Sequence, residues 1–414
     1  MENTLNLQED YIMKYYLSAD TGNSSFKAII VDTMEQTKKL VVKQPSASHF
    51  LLKNPIFSEE NPKIAVTNLL DEMIVHASSD GLKRIGKFAV GSKAYRASED
   101  GTPRLMNIKI GNKHKEDLFM LMPLSSIAAK AVQDSFDATG EIPNELNVNV
   151  SFTTALPARE FTPEIAEEIS QRFVNGTHTI DMYAMKKPTI VRITFERAKV
   201  YKEGIPAIHA IVNGGKLVFK EYDEKYPNKP LKNVDLLKKK VLLVDVGDGT
   251  TEFIYIVNGA VHELSRGERR GVGQAVTSAI ELLREELGID LKMNRQQFMD
   301  AVQDQTHHYH SEAKQCFEAA RIDEIERIAE SISEMFLNKL AGNVDLIIVA
   351  GGGSIAFKNE LSELLYDFAE ETNSQVLWTP KRMAVSLNAI GLDILNRQQD
   401  KTQGTANEGA EVNA

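Results

Sequence analysis

The sequence predicts an α/β protein built from two related halves, and three observations support this. The chain has 414 residues, more than a single hydrophobic core usually serves, so two domains or one two-lobed body is expected. Stretches with strand and helix patterns alternate along the chain, which is typical of α/β folds. Two hairpins with Asp-x-Gly turns, at Asp20 and Asp245, suggest that the halves are duplicated.

Composition narrows the class of protein. Hydrophobic residues make up 42% and charged residues 26%, and no apolar run approaches the roughly 18–20 residues that span a bilayer. The N-terminus has no basic leader followed by an apolar stretch, and a single cysteine, Cys316, excludes an internal disulfide. These features predict a cytoplasmic protein without a membrane segment. The net charge of −10 disfavours direct nucleic-acid binding and favours a basic protein partner.

The elements follow in chain order. Residues 1–13 and 397–414 are polar, and we expect both ends to be disordered. The first predicted element is a hairpin of Tyr15–Ser18 and Phe26–Val31. A helix is predicted over 61–81, with Asn61 as its cap and Pro62 in its first turn. The charged, proline-containing stretch 220–240 is interpreted as a surface loop.

Other stretches have the apolar spacing of helices or of strands. Helical spacing of apolar residues occurs over 117–136 and 274–288. Strand patterns occur over 146–160, over 189–201 and in the buried run that leads to the glycines at 351–353.

The stretch "DVGDGTTEF" (245–253) has the composition of a phosphate-binding turn. Gly247 and Gly249 let backbone amides point at one anion, and Thr250 and Thr251 add hydroxyl donors. Asp245 would repel a phosphate unless a cation lies between them, and Mg²⁺ is the cation that bridges carboxylate and phosphate oxygens. An ordinary tight hairpin explains this stretch alone equally well.

A second stretch, "SADTGNSSFKAII" (18–30), has the same pattern. Asp20 ends a strand, Gly22 lies in the turn, and Lys27 begins the returning strand, from which its ammonium group can neutralise phosphate charge. The donors of this turn are Asn23, Ser24 and Ser25. Two such hairpins in one chain favour a polyphosphate held from both sides, with each hairpin giving a carboxylate to the metal shell.

A third stretch, "IIVAGGGSIAF" (347–357), is a buried strand that runs into three glycines, where a planar group can lie against the backbone. The chain has no G-x-x-x-x-G-K-[ST] loop, so a P-loop architecture is excluded. It also lacks an early G-x-G-x-x-G after a strand, which disfavours a dinucleotide-binding fold.

In this order, the three stretches resemble the phosphate-1, phosphate-2 and adenosine motifs of the actin-like ATPase superfamily. "VYKEGIPAIHA" (200–210) and "AVSLNAIGLDIL" (384–395) resemble its two connecting helices. "FAVGSKAYR" (88–96) and "TTALPARE" (153–160) are similar to the plasmid-segregation actins of the ParM/Alp type. The resemblance implies two α/β lobes, each a mixed β-sheet flanked by helices, with nucleotide in the cleft between them. Lobe I would comprise 14–240 plus 386–396, and lobe II 241–385.

The resemblance also implies roles for particular residues. Asp20 and Asp245 would hold Mg²⁺ through its waters. With Glu203, which would activate the attacking water, they would form the catalytic set. The phosphates would be bound by Gly22, Asn23, Ser24, Ser25, Lys27, Gly247, Asp248, Gly249, Thr250 and Thr251. The nucleoside would lie on Gly351, Gly352, Gly353 and Ser354. Charged residues at 268–270 are candidates for base or ribose contacts, although surface charge explains them as simply.

The function implied is ATP- or GTP-driven polymerisation into filaments that segregate plasmid DNA. The filament would act through a basic, DNA-bound adaptor of the ParR kind on a centromere-like plasmid site. The alternative is a monomeric small-molecule kinase of the same superfamily, although the sequence shows no cluster suited to a sugar substrate. His307, His308 and His310 lack the geometry of a metal site in sequence, and a solvated helix or loop is the favoured interpretation.

Overall fold

The computed structural model describes residues 12–53, 55–57, 59–96, 103–106 and 112–411, with only the backbone of Val234 and of 400–411. The chain divides into two compact units. The first contains the residues up to Tyr201 and those from Asn388 onward, and the second contains Lys202–Leu387. The boundary therefore lies near 201, whereas the sequence placed it at 240.

The strands of the described residues are numbered in chain order. Those of the first unit are β1 (Ile12–Thr21), β2 (Ser25–Asp32), β3 (Lys39–Pro45), β4 (Ala47–Phe50), β5 (Ile74–Ser79), β6 (Gly86–Val90), β7 (Arg104–Leu105), β8 (Glu145–Leu156), β9 (His178–Met182) and β10 (Thr189–Lys202), the last of which reaches the boundary. Those of the second are β11 (Lys240–Val246), β12 (Thr251–Val257), β13 (Ala260–Val261), β14 (Arg266–Glu268), β15 (Leu346–Ala350) and β16 (Gln375–Trp378).

The helices are numbered in the same way. They are α1 (Pro62–Thr67), α2 (Ser92–Arg96), α3 (Asp117–Thr139), α4 (Pro163–Val174), α5 (Ile205–Asn213), α6 (Lys216–Lys225), α7 (Asn233–Leu236), α8 (Val272–Leu287), α9 (Arg295–Gln303), α10 (His310–Glu334), α11 (Gly353–Ala356), α12 (Lys358–Glu371), α13 (Lys381–Ala384) and α14 (Leu387–Glu411). A 3₁₀ turn covers Lys113–Lys115, and a π-helical turn, Met335–Lys339, continues α10.

The first unit is built on a mixed sheet of the order β3-β2-β1-β8-β10-β9-β5-β6-β4-β7 among the described strands. β1 pairs antiparallel with β2 and parallel with β8, so the predicted first hairpin is confirmed. Helix α3 packs against this sheet and is buried from Asp117 to Val132. The core therefore lies beneath β1, the strand that carries Asp20 at its end.

The second unit repeats this plan on a smaller scale. Its described strands run in the order β13-β12-β11-β15-β16, and β14 also pairs with β12. β11 is antiparallel to β12 and parallel to β15, so it takes the place that β1 has in the first sheet. The two related halves expected from the Asp-x-Gly hairpins are thus seen in the topology of the sheets.

The C-terminal helix α14 belongs to the first unit, where one amide holds it on the sheet. The buried Asn396 Nδ2 donates to the Leu17 carbonyl at 3.1 Å, the Ser18 hydroxyl at 3.1 Å and the Ser151 carbonyl at 2.9 Å. The helix continues to Glu411, although 397–414 was expected to be disordered. The anchored first half supplies the nucleus on which the polar continuation extends as helix.

Three further predictions differ from the structure. Asn61 caps a helix as expected, but α1 ends at Thr67, because the following apolar residues form β5 between β6 and β9. The expected loop 220–240 contains most of α6 and all of α7. Val218, Phe219 and Tyr222 form a buried face of α6, and the Tyr222 hydroxyl donates to Gln375 Oε1 at 3.2 Å. That packing ties this segment to the second unit. Ile12 and Met13, expected to be disordered, begin β1.

No helix of the described residues is long and apolar enough to cross a membrane.

Candidate functional site

The first predicted phosphate-binding hairpin joins β1 and β2. Its turn is closed by the Gly22 N–H, which donates to the Ser25 carbonyl at 3.1 Å. Asp20 and Lys27 are opposite each other in the register, with 3.6 Å between Lys27 Nζ and Asp20 Oδ2. The Asp20 side chain is 9% exposed and that of Lys27 19%. The hairpin thus holds a carboxylate and an ammonium side by side at the strand end.

The tip of this turn is held in place from below. Ser46 donates its hydroxyl to the Gly22 carbonyl at 2.6 Å and its N–H to the Ser24 carbonyl at 3.0 Å. The predicted donor Ser24 is exposed, and Asn23 and Ser25 are half-buried. Thr21 Oγ1 is buried without a hydrogen-bond partner among the described residues. The turn is therefore rigid, and its outer polar groups are open to a ligand.

The second predicted hairpin, between β11 and β12, repeats this geometry. Its turn is closed by the Gly247 N–H, which donates to the Thr250 carbonyl at 2.9 Å. Asp245 lies opposite Glu252, as Asp20 lies opposite Lys27. In both hairpins the aspartate is two residues before the glycine, and the same turn hydrogen bond follows. Asp20 and Asp245 are thus equivalent positions in the two units.

The segment that opens helix α8 encloses this second turn. The Gly273 N–H donates to the Asp248 carbonyl at 2.8 Å and the Val272 N–H to the Gly247 carbonyl at 3.3 Å. The hydroxyl of Thr251, which is fully buried, donates to the Arg270 carbonyl at 3.1 Å. Gly271 has a φ of +152°, and a Cβ there would lie 2.7 Å from the Asp248 carbonyl oxygen. The Thr251 hydroxyl therefore holds the turn to the segment before α8. Thr250, which carries the other threonine hydroxyl of the turn, is half-buried.

A buried carboxylate secures the same segment from α10. Glu324 is 5% exposed, and its Oε1 accepts the Gly271 N–H at 2.7 Å. Burial raises the pKa of Glu324, and the Gly271 hydrogen bond and the charge of Arg270 oppose that change. The turn between β11 and β12 is thus supported by the segment that opens α8, and that segment by Glu324 of α10.

The glycine turn after β15 lies directly against the second hairpin. The parallel pairing of β11 and β15 places Ala350 beside Asp245. Gly351 has a φ of +88°, and a Cβ there would clash with Asp245 Oδ1 and the Val246 carbonyl. The structure therefore brings the third predicted motif against the second hairpin within one unit.

Gly352 and Ser354 differ in what they can contact. Gly352 is exposed, with open space where its Cβ would be. Ser354 is fully buried, its hydroxyl donates to the Gly351 carbonyl at 2.7 Å, and its own carbonyl accepts Trp378 Nε1 at 3.0 Å. The backbone at Gly352 is therefore open to a flat group, and Ser354 stabilises the turn from inside.

Glu203 lies in the second unit, between the end of β10 and the start of α5, within the predicted connecting stretch 200–210. It is 8% exposed, and the following Gly204 has a φ of +94°. A Cβ at Gly204 would lie 2.6 Å from Ile254 Cγ2, so the connector packs closely on β12. Glu203 and Asp245 thus belong to one unit, and Asp20 and Lys27 belong to the other.

Sequence reasoning missed one basic residue at this site. Arg295, the first residue of α9, has Nη1 3.3 Å from Asp248 Oδ2, and its Nε donates to Thr277 Oγ1 at 3.0 Å. The guanidinium lies over Gly273, where a Cβ would clash with Nη1. Forty-seven residues separate Asp248 from Arg295, so no local pattern indicates the contact.

Other charged candidates serve the scaffold. Glu268 pairs with Arg266 at 2.9 Å and Arg270 at 3.4 Å, and it accepts the Ser331 hydroxyl at 2.8 Å. These contacts join β14 to α10. In the described part of the chain, no three His, Cys, Asp or Glu side chains are grouped as metal ligands, and this includes the three histidines at 307–310. Cys316 is buried, which raises the pKa of its thiol.

Comparisons with known proteins agree with this architecture. The family model for the C-terminal part of archaeal actin homologues of the MreB-like type matches residues 243–363. No curated protein sequence matches the chain.

Solved structures match over nearly the whole chain. Actin-like protein Alp7A superposes with a TM-score of 0.66 at 16% identity, covering 96% of this chain and 100% of its own. ParM of Bacillus thuringiensis with ATP gives 0.60 at 16% identity, covering 94% and 99%. Ta0583, an archaeal actin homologue, gives 0.60 at 15% identity, covering 93% and 99%.

The chain therefore has the actin-like fold, and the resemblance inferred from the sequence is confirmed at that level. The solved proteins with a similar fold include Alp7A and ParM.

Proposed function

We propose that this chain binds ATP or GTP with Mg²⁺ and hydrolyses it to drive the assembly and turnover of filaments that segregate plasmid DNA. One observation carries the proposal. Two hairpins, one in each unit of an actin-like fold, have an aspartate at the strand end and a glycine-closed turn two residues later. Paired turns of this kind suit a polyphosphate, which presents anionic oxygens on two sides.

The hairpins fit a nucleotide with its metal. Carboxylates at strand ends repel phosphate, so Asp20 and Asp245 are suited to hold Mg²⁺ through its waters. Lys27 neutralises part of the phosphate charge, and the polar groups of 23–25 and 248–250 donate to phosphate oxygens. The open backbone at Gly352 accepts the nucleoside. ParM of Bacillus thuringiensis, which shares the fold, has been solved with ATP and with AMPPNP.

Hydrolysis in this proposal depends on positioning. Magnesium held by Asp20 and Asp245 would supply charge stabilisation at the phosphates. Donors fixed by the two turns act as preorganised electrostatic stabilisation of the transferring phosphoryl group, and the loss of one such donor typically raises the barrier by about 3 kcal/mol. Glu203 is the carboxylate that orients the attacking water.

Assembly in this proposal requires one kind of contact that repeats from each copy of the chain to the next. A head-to-tail contact that does not close generates a filament. Hydrolysis weakens that contact because the terminal phosphate no longer favours the assembly-competent conformation. The net charge of −10 suits a basic, DNA-bound adaptor as the cargo link.

Right-angle light scattering of the purified chain with ATP or GTP tests this proposal. We expect a rapid rise that requires both Mg²⁺ and a nucleoside triphosphate, followed by a decline as phosphate is released. Asp245→Ala should abolish hydrolysis, whereas Asp290→Asn, which removes an exposed charge between α8 and α9, should behave as the parent does. A chain that binds nucleotide but stays monomeric would refute the filament function and favour the kinase alternative.

A further inference from the structure

The turn of the second hairpin, like that of the first, has a basic side chain close to one of its carboxylates. In the first unit, Lys27 Nζ lies 3.6 Å from the carboxylate of Asp20 in the same hairpin. In the second, Arg295 Nη1 lies 3.3 Å from the carboxylate of Asp248, the residue between the two turn glycines. Each turn thus has one cation near one of its carboxylates. In the first unit the cation comes from the hairpin itself, and in the second it comes from α9.

The Arg295 guanidinium is held in a defined place. Nε donates to Thr277 Oγ1 at 3.0 Å, and Thr277 itself donates to the Gly273 carbonyl at 2.8 Å. The absence of a side chain at Gly273 provides the space in which the guanidinium lies. Two directional contacts on the same side chain fix its plane beside the turn.

The same guanidinium keeps capacity for an anion. Arginine has five N–H donors, and the described contacts of Arg295 use Nη1 and Nε. The side chain is 47% exposed and that of Asp248 42%. Nη2, with two N–H groups, is therefore available to a ligand on this turn, and arginine binds phosphate oxygens with charge-assisted hydrogen bonds.

The negative charge at the second turn favours a cationic hydrogen-bond donor beside a bound phosphate. Asp245 and Asp248 both fall within a stretch of four residues. Two carboxylates therefore stand at the turn where a nucleotide's phosphates would lie. A triphosphate adds more negative charge than a diphosphate, so a cation at the turn favours the triphosphate selectively. Without Arg295, compensation of these two carboxylates beside the terminal phosphate would depend on the metal and on Lys27.

We infer that Arg295 contacts the terminal phosphate of the bound nucleoside triphosphate and makes the chain discriminate triphosphate from diphosphate. This inference rests on the proposed nucleotide site. Because Arg295 begins α9, it also gives the α8–α9–α10 helices a direct contact with the phosphate that hydrolysis removes.

Nucleotide titrations with Mg²⁺, using AMPPNP and ADP separately, test the inference. Arg295→Ala should weaken AMPPNP binding by roughly 10- to 100-fold and ADP binding by less than about 3-fold. Arg295→Lys should restore part of the AMPPNP affinity, since an ammonium supplies charge without the planar fork. The control is Arg327→Ala, which removes another half-exposed arginine–aspartate pair (2.8 Å to Asp323), and it should change neither affinity.

Gly273→Ala provides a variant that keeps the arginine. The added methyl displaces the guanidinium, and alanine favours a helix over glycine by about 1 kcal/mol, so this variant should fold well. We expect the same selective loss of AMPPNP affinity. Equal losses for both nucleotides in Arg295→Ala, or no loss, would overturn the inference while leaving the nucleotide site intact. A parent chain that binds neither nucleotide would instead overturn the proposed function.

Discussion

At the scale of single residues, the site depends on glycines that admit neighbouring backbone. Gly351 is the clearest case, since its φ of +88° lies in the region that other residues avoid. It is also pressed against the carbonyl of Val246 and the carboxylate of Asp245. A single backbone position thus sets the distance between the glycine turn after β15 and the hairpin of β11 and β12.

Gly351→Ala should therefore destabilise the second unit and weaken nucleotide binding. The left-handed conformation alone costs a substituted residue on the order of 1–3 kcal/mol, and the contact with Val246 adds to this. Gly352→Ala is the matched control, because Gly352 is exposed with open space at its Cβ, and a change within about 0.5 kcal/mol is expected. Urea unfolding and nucleotide titration of both variants measure the difference. Similar stabilities for the two variants would contradict this account of Gly351.

At the scale of helices and strands, the sequence predicted the features that residues close together in the chain determine. Both hairpins are as expected, because the Asp-x-Gly spacing sets turn and strand end together. Helix α1 is shorter than its pattern suggested, because pairing of Ile74 and Val75 with neighbouring strands prevails over helical spacing. The partners of the turns were beyond prediction: Arg295, Glu324 and Ser46 are distant in sequence from the turns they support.

The 3₁₀ turn at Lys113–Lys115 carries a buried histidine whose protonation opposes folding. His114 is 2% exposed, and both ring nitrogens lack hydrogen-bond partners among the described residues. Burial lowers its pKa, outweighing the attraction of Glu160, and nearby Arg172 acts in the same direction as burial. Above a pH of about 6.5 the ring is neutral in both states. Below it, the unfolded chain takes up a proton that the folded chain does not, so stability falls.

We therefore expect the free energy of unfolding to decrease as the pH falls from 7.5 to 5.5. His114→Gln should flatten this dependence by up to about 1.4 kcal/mol per pH unit. His308→Gln is the control, because His308 is exposed. Urea titrations of the three proteins at several pH values give the slopes. Identical slopes for the parent and His114→Gln would show that His114 does not carry the effect.

At the scale of the whole molecule, the proposed function requires that hydrolysis and assembly be separable. Glu203 is buried between β10 and α5 and belongs to neither of the two hairpins proposed to hold the phosphates. Glu203→Ala should slow phosphate release by roughly 100-fold or more, while nucleotide-dependent assembly persists. Light scattering followed beyond the parent's decline should then show long-lived filaments. A variant that disassembles at the parent's rate would exclude Glu203 as the water-orienting residue.

The sequence also indicated the duplication of the two halves more clearly than the limits of units and helices. The duplication was visible in two short motifs, since the chemistry of a phosphate turn restricts the residues allowed. The lobe boundary at 240 stays a prediction, while the two compact units divide near 201. Phe219 and Tyr222 lie on the buried face of α6 in the second unit, although they stand among charged residues that suggest a loop. The extent of α14 was missed because its anchor, Asn396, is a single polar residue.

The three hydrogen bonds of Asn396 have a consequence for synthesis on the ribosome. They join the beginning of the chain to a residue translated almost four hundred codons later. The second unit is one continuous segment and is complete in the nascent chain before Asn396 emerges. The first unit, although begun earlier, must wait for its last helix, so the order of completion is the reverse of the order of translation.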